Sequence, residues 1–222
     1  MPPIPRGYDV AAATTHLQRD RALGAWMRRI GALERDFSQA FDPMDALARA
    51  ILYQQLSGKA ASTIVGRVEV AIASRRINAK ALLRVDDTTL RGCGVSFNKI
   101  AALRDLAAKS QAGIVPTAAK LSRMPDADIV DHLTQVRGIG RWTVEMMLMA
   151  RLGRPDVLPI HDLGIRKGAQ IVRKLEEMPA PLALEELGER WRPFRTLASF
   201  YLWQIVEADA AKKTKPVRRS TD

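Results

Sequence analysis

The chain has a single cysteine, Cys93, and only three histidines, His16, His132 and His161, among 222 residues. One thiol excludes an intrachain disulfide, a cysteine-rich zinc site and an iron–sulfur cluster held by this chain's own cysteines. The histidines lie too far apart in sequence to suggest a metal cage, because transition-metal sites draw on clustered donors. No apolar run approaches the ~20 residues that cross a bilayer, and the first thirty residues lack the apolar core of a secretory signal. The expectation is a soluble, intracellular protein with no membrane partner, cytoplasmic and nucleoid-associated in a bacterium or nuclear in a eukaryote. Strand signals are missing as well. No stretch alternates apolar and polar residues with β-branched enrichment, and no solenoid-length repeat occurs, so the chain reads as all-α, with about ten short helices.

Acid is scarce relative to base: 24 Asp+Glu stand against 35 Lys+Arg, for a net charge of +11. Such an excess favours a polyanionic partner, nucleic acid first and an anionic membrane surface second. Residues 211–222, AKKTKPVRRSTD, form a basic tail with five basic residues and one acid, so +7 of the +11 lies elsewhere. The basic character belongs to the body of the chain as well as to its end.

What is present is organised around residues 133–162, LTQVRGIGRWTVEMMLMARLGRPDVLPIHD. Ile129, Val130, Leu133 and Val136 recur at helical spacing, and residues 144–150 are so uniformly apolar that a helix there must be buried on most faces. Two helices therefore meet across Arg137-Gly138-Ile139-Gly140. Gly138 and Gly140 supply the positive φ or close approach that so short a reversal needs, and they leave amides bare at the start of the second helix, a natural phosphate site. Earlier, Asp42-Pro43 is a helix start, with an N-cap aspartate and proline at the first helical position. That helix gives way at Tyr53-Gln54-Gln55-Leu56-Ser57-Gly58-Lys59, which is either an ordinary polar loop or a tongue whose Gln55 or Leu56 enters a duplex. Around Cys93, two close glycines precede Ser96, which can cap a helix bearing Lys99 and stands at a second junction able to touch phosphate. The last helix is expected over residues 194–206, with Trp203 on it.

These blocks carry a resemblance. Leu133 to Thr143, with an aspartate some twenty residues on, is similar to the helix-hairpin-helix and Gly/Pro-Asp signature of the HhH-GPD DNA glycosylase superfamily. Residues 50–60, 140–143, 153–156, 162–165 and 191–195 together resemble its alkylpurine branch, the 3-methyladenine DNA glycosylase II family. The match runs over residues 42–207. It implies two helical lobes with a central cleft for a flipped base. One lobe spans 42–152 and contains the hairpin at 126–150; the other joins 8–41 to 153–210 and carries the catalytic aspartate. The basic tail, 211–222, follows. Larger bacterial relatives have an extra N-terminal β-rich domain for which the residues before Asp42 are too few, so a compact form is expected.

The resemblance implies release of alkylated purines from double-stranded DNA by base flipping and hydrolysis of the N-glycosidic bond, by a monomer that requires no cofactor. Asp162 is the implied catalytic residue: a carboxylate stabilises the oxocarbenium-like sugar and orients water. Read alone, it is also a helix N-cap. Its neighbour is His161 where the family usually has an acid, and this histidine can contact backbone, shift the pH profile or cap main chain. Trp142 stands where strand-cutting relatives place a lysine nucleophile, so the enzyme is expected to be monofunctional. Trp142 and Trp203, with Tyr53 and Met146, resemble the walls of a pocket for a cationic base. Gly138, Gly140, Arg141, Ser96 and Lys99 are the implied phosphate contacts. The main-chain carbonyls of Thr134, Val136 and Ile139 correspond to those that bind a monovalent cation, Na+ or K+, bridging to a DNA phosphate. The alternative is a non-catalytic helix-hairpin-helix DNA-binding module, which has no use for Asp162 or the tryptophans.

Overall fold

A computed structural model describes residues 7–37 and 40–214. Among them all the regular secondary structure is helical: α1 (Val10–Leu17), α2 (Arg21–Ile30), α3 (Pro43–Tyr53), α4 (Gly58–Ala71), α5 (Ala79–Arg84), α6 (Asp87–Gly92), α7 (Phe97–Gln111), α8 (Ala118–Leu121), α9 (Asp126–Leu133), α10 (Arg141–Ala150), α11 (Leu163–Arg173), α12 (Pro181–Gly188) and α13 (Arg195–Thr214). One turn of 3-10 helix, Glu189–Trp191, separates the last two. The all-α reading holds. The count rises from about ten to thirteen because α5, α6 and α8 have only four to six residues, too few for a periodic signal. The last helix runs past the expected 206 to Thr214, so residues 211–214 of the expected tail are helical. The rest of that tail, 215–222, lies outside the described residues.

The helices start where the sequence supplies caps. Asp9, Asp20, Asp42, Ser57, Asn78, Asp86, Ser96, Thr117 and Asp162 each accept a main-chain N–H of the helix they precede.

The described residues form two compact units: residues 40–147, and residues 7–37 together with 148–214. In the first, α7 packs against α3 and α5, burying Leu47, Ile51, Leu52, Leu82, Ile100, Leu103 and Leu106. In the second, α11 lies along α13, with α1 and α2 closing the core around Leu17, Leu23, Ile165, Tyr201 and Trp191. Trp191 is fully buried, as a core tryptophan should be.

Asp20 ties the second unit together. Its Oδ1 caps α2 by accepting from Ala22 and Leu23, while Oδ2 accepts from the Trp191 indole at 3.0 Å and from the Arg173 guanidinium. Burial pushes its carboxyl up, but the Leu23 amide, Trp191 and Arg173 outweigh that and hold it below the usual carboxylate range. Removing one partner of a buried pair leaves the other uncompensated, and Asp20→Ala should cost about 3–5 kcal/mol in urea unfolding at pH 7. A carboxyl whose folded pKa is depressed stabilises above its unfolded value, about pH 4, and loses that contribution as pH falls through the folded value. The gap between parent and variant should therefore narrow as unfolding is repeated at decreasing pH.

Candidate functional site

In the first unit the hairpin between α9 and α10 is fastened to α7. Arg137 donates its amide to Asp105 Oδ2 at 2.7 Å, and Lys109 reaches both the same carboxylate oxygen and the Gln135 carbonyl. Burial raises the Asp105 carboxyl, and the Arg137 amide and Lys109 ammonium bring it below its ordinary range. Gly138 has φ of +78° and a Cβ there would come within 3.3 Å of Ala102, so glycine is required by conformation and by space. Gly140 differs from expectation. Its φ is not positive and nothing stands within 4 Å of where a Cβ would project. Its carbonyl opens α10 by accepting from Thr143 and Val144, and the absent side chain keeps the approach to the helix N-terminus clear.

The turn at residues 53–56 is bound to that hairpin. The Gln54 side-chain amide donates to the Gly138 carbonyl at 2.8 Å, and the Gln54 and Leu52 carbonyls both accept from Lys99 Nζ at 2.8 Å. Gln55 then takes φ of +57°, a left-handed conformation that costs a non-glycine residue on the order of 1 kcal/mol and needs its surroundings to enforce it. The outcome is a rigid tip from which Tyr53, Gln55 and Leu56 face solvent while Gln54 is turned inward. Gln54 and Asp105 were not legible as site residues, because their partners lie 84 and 32 residues away in the chain.

Two expected phosphate ligands are placed otherwise. Lys99 Nζ is taken up by the carbonyl end of α3, where burial draws its ammonium below the usual lysine range. Ser96 Oγ accepts the Lys99 amide and caps α7. Both roles position the turn and the helix. Arg141 is exposed and paired through Nε with Glu145 Oε1 at 2.9 Å, which fixes its stem and leaves the outer guanidinium on the surface. Glu145 is a buried acid inside a helix expected to be apolar. Trp142 is 51% exposed on the first turn of α10, Met146 is half-buried one turn on, and Met147 and Met149 are core.

In the second unit, one face of α13 holds the segment that delivers Asp162. Arg195 grips the Asp156 carboxylate with Nε and Nη2 at 2.7 and 3.0 Å, and Arg192 adds a third bond at 2.8 Å. Thr196, fully buried, donates its hydroxyl to the Arg154 carbonyl, accepts the Val157 amide and gives its own amide to the Pro155 carbonyl. Seven residues further along the same face, the Trp203 indole N–H donates to Asp162 Oδ1 at 2.9 Å. That oxygen also accepts the Ile165 amide at 2.8 Å, so Asp162 is the N-cap of α11 and at the same time the acceptor of a tryptophan. The cap reading of Asp162 holds, and the same oxygen carries the Trp203 contact. His161 beside it is exposed.

Two glycines make the pair possible. A Cβ on Gly164 would stand 2.8 Å from Trp203 Cδ1 and 3.1 Å from Asp162 Oδ1, and one on Gly168 would stand 2.4 Å from the Leu202 carbonyl. Gly164→Ala should therefore displace the Trp203 ring. We expect a loss of about 1–3 kcal/mol in denaturant unfolding, typical of overpacking, together with a shifted Trp203 indole N–H resonance in the proton NMR spectrum. Asp162→Ala should move the same resonance, whereas an unmoved signal in both variants would contradict this contact.

Residues 48–193 match the family model described as HhH-GPD superfamily base excision DNA repair protein. The DNA-3-methyladenine glycosylase 1 of Schizosaccharomyces pombe is 37% identical over 178 residues, covering 80% of this chain and 77% of that protein. Among solved structures, a DNA-3-methyladenine glycosidase from Bacillus halodurans aligns with TM-score 0.81 at 33% identity, over 90% of both chains. The S. pombe 3-methyladenine DNA glycosylase in complex with abasic DNA aligns with TM-score 0.77 at 33% identity, over 87% of this chain and 95% of that one. With the hairpin, the capped aspartate and these matches together, the chain belongs to the HhH-GPD superfamily of base excision DNA repair proteins.

Proposed function

We propose that this DNA glycosylase excises alkylated purines, 3-methyladenine and 7-methylguanine among them, from double-stranded DNA, acting as a monomer and leaving an abasic site. The observation that carries this reading is the carboxylate of Asp162, fixed at Oδ1 by the Ile165 amide and the Trp203 indole. As the bond between base and sugar breaks, positive charge builds on the deoxyribose ring. A carboxylate that is already oriented stabilises that charge and directs the attacking water without reorganising. Trp203 acts here through Asp162 as a positioning residue.

Substrate preference follows from the rings. 3-Methyladenine and 7-methylguanine carry a formal positive charge, and Trp142 and Tyr53 present exposed, electron-rich faces suited to them, with Met146 beside Trp142. Trp142 has no amine, so no Schiff base forms at its position and the strand is left uncut. The relatives named as 3-methyladenine glycosylases support the same class of lesion.

The hairpin holds the DNA strand. The amides that begin α10, the clear space at Gly140 and the outer guanidinium of Arg141 suit a phosphate. The carbonyls of Thr134, Val136 and Ile139 are neutral oxygen donors of the kind that bind Na+ or K+, and Val136, which accepts the Ile139 amide, retains a second lone pair. A cation bound there would supply a bridge to a DNA phosphate. Gln55 and Leu56, on the rigid tip, are the residues that fill the space left by the flipped base.

Asp162→Asn keeps an N-cap while removing the charge, so folding should be retained and release of methylated purines from alkylated duplex should fall at least about 100-fold. Intact duplex binding without base release by the parent would instead make the protein a binding module, and a covalent complex trapped by borohydride would contradict the monofunctional reading. Gly140→Ala should leave the melting temperature within a few degrees of the parent, since the Cβ meets no protein atom. It should weaken duplex binding in gel-shift titrations about tenfold or more, because the methyl group occupies the phosphate approach.

A further inference from the structure

At the other end of α11 from Asp162 the second unit has a groove lined by the α1–α2 junction, the C-terminus of α11 and the 3-10 turn. Six cations line it: Arg19, Arg21, Arg29, Arg173, Lys174 and Arg190, against one carboxylate, Asp20. That carboxylate is fully engaged. Both its oxygens accept hydrogen bonds, and its charge is matched by Arg173. Five cationic side chains are therefore left without a neutralising acid in the groove wall, and all five are exposed.

The lining also includes Trp26, and its surroundings narrow the ligand. Arg29 stands 5.2 Å and Lys212 of α13 4.8 Å from the ring centroid, so the indole holds two cations in place through cation–π contact. An aromatic committed to ordering cations favours backbone charge over stacked bases. Arginine forks match phosphate oxygens in pairs, whereas a flat run of lysines would offer only point charge. Asp162 and Lys174 cap opposite ends of the eleven-residue α11, which places them about 18 Å apart along its axis.

We infer that this groove binds the phosphodiester backbone of nucleic acid, without regard to sequence or lesion, as a second contact remote from the catalytic aspartate. The inference rests on the DNA partner proposed above but is read on undamaged DNA, so the two fail separately.

The test compares the parent with the triple variant Arg19→Ala/Arg21→Ala/Arg190→Ala, substituting exposed residues outside the catalytic machinery. Binding of an undamaged 40-base-pair duplex is titrated at several salt concentrations. The slope of log affinity against log salt should shrink by about two to three, given about 0.9 per phosphate contact. Low-salt affinity should fall at least about tenfold. The single-turnover rate of base release at saturating enzyme should stay within twofold of the parent. Equal slopes in the two proteins overturn the proposal. In the parent, amine-reactive labelling of Lys174, read by peptide mass, should drop several-fold with the duplex bound, which decides the matter even should the triple variant not fold. Unchanged labelling overturns it. So does protection by inorganic pyrophosphate or polyglutamate equal to that by DNA, which would assign the groove to free phosphate or to an acidic protein.

Discussion

The closeness of α11 to α13 is the constraint on which the geometry around Asp162 depends. At Gly168 the Leu202 carbonyl stands where a side chain would begin, and at Gly164 the Trp203 ring does. Two glycines one turn apart thus let a helix backbone rest against another helix, and the indole N–H of Trp203 reaches Asp162 only because of that approach. The same carboxylate oxygen serves as the helix cap. Orientation of the Asp162 carboxylate and initiation of α11 thereby share one oxygen, and a side chain at Gly164 would press on both Trp203 and that oxygen.

The remaining geometry of the second unit follows from one helical face. Thr196 and Trp203, two turns apart, return to the same side of α13, with Arg195 next to them at its start, and each holds a different point of the segment from Arg154 to Asp162. A loop that would otherwise be mobile is converted into a fixed lead to the aspartate. Fixed carboxylates matter because electrostatic stabilisation of a developing charge is effective when the group need not move.

The first unit applies the same economy to its hairpin. Gln54 links the 53–56 turn to Gly138, Lys99 closes the end of α3, and Asp105 holds Arg137. The strain of a left-handed Gln55 persists because these bonds determine the turn on both sides. Exposed Leu56 and Gln55 are thus presented by a stiff support.

The helical class, the position of the hairpin and the cap at Asp162 are legible in the sequence, because caps, apolar period and short glycine turns act over a few residues. The need for glycine at 138 was legible for the same reason. The sequence also determined a match to the HhH-GPD signature that the family comparison bears out. Only the tertiary structure decided that Lys99 and Ser96 serve the protein's own helices, that Gly140 is open where Gly138 is confined, and that Trp203 orients Asp162. Those outcomes depend on partners tens of residues away, where no local propensity reaches and where packing distance selects which donors and acceptors meet.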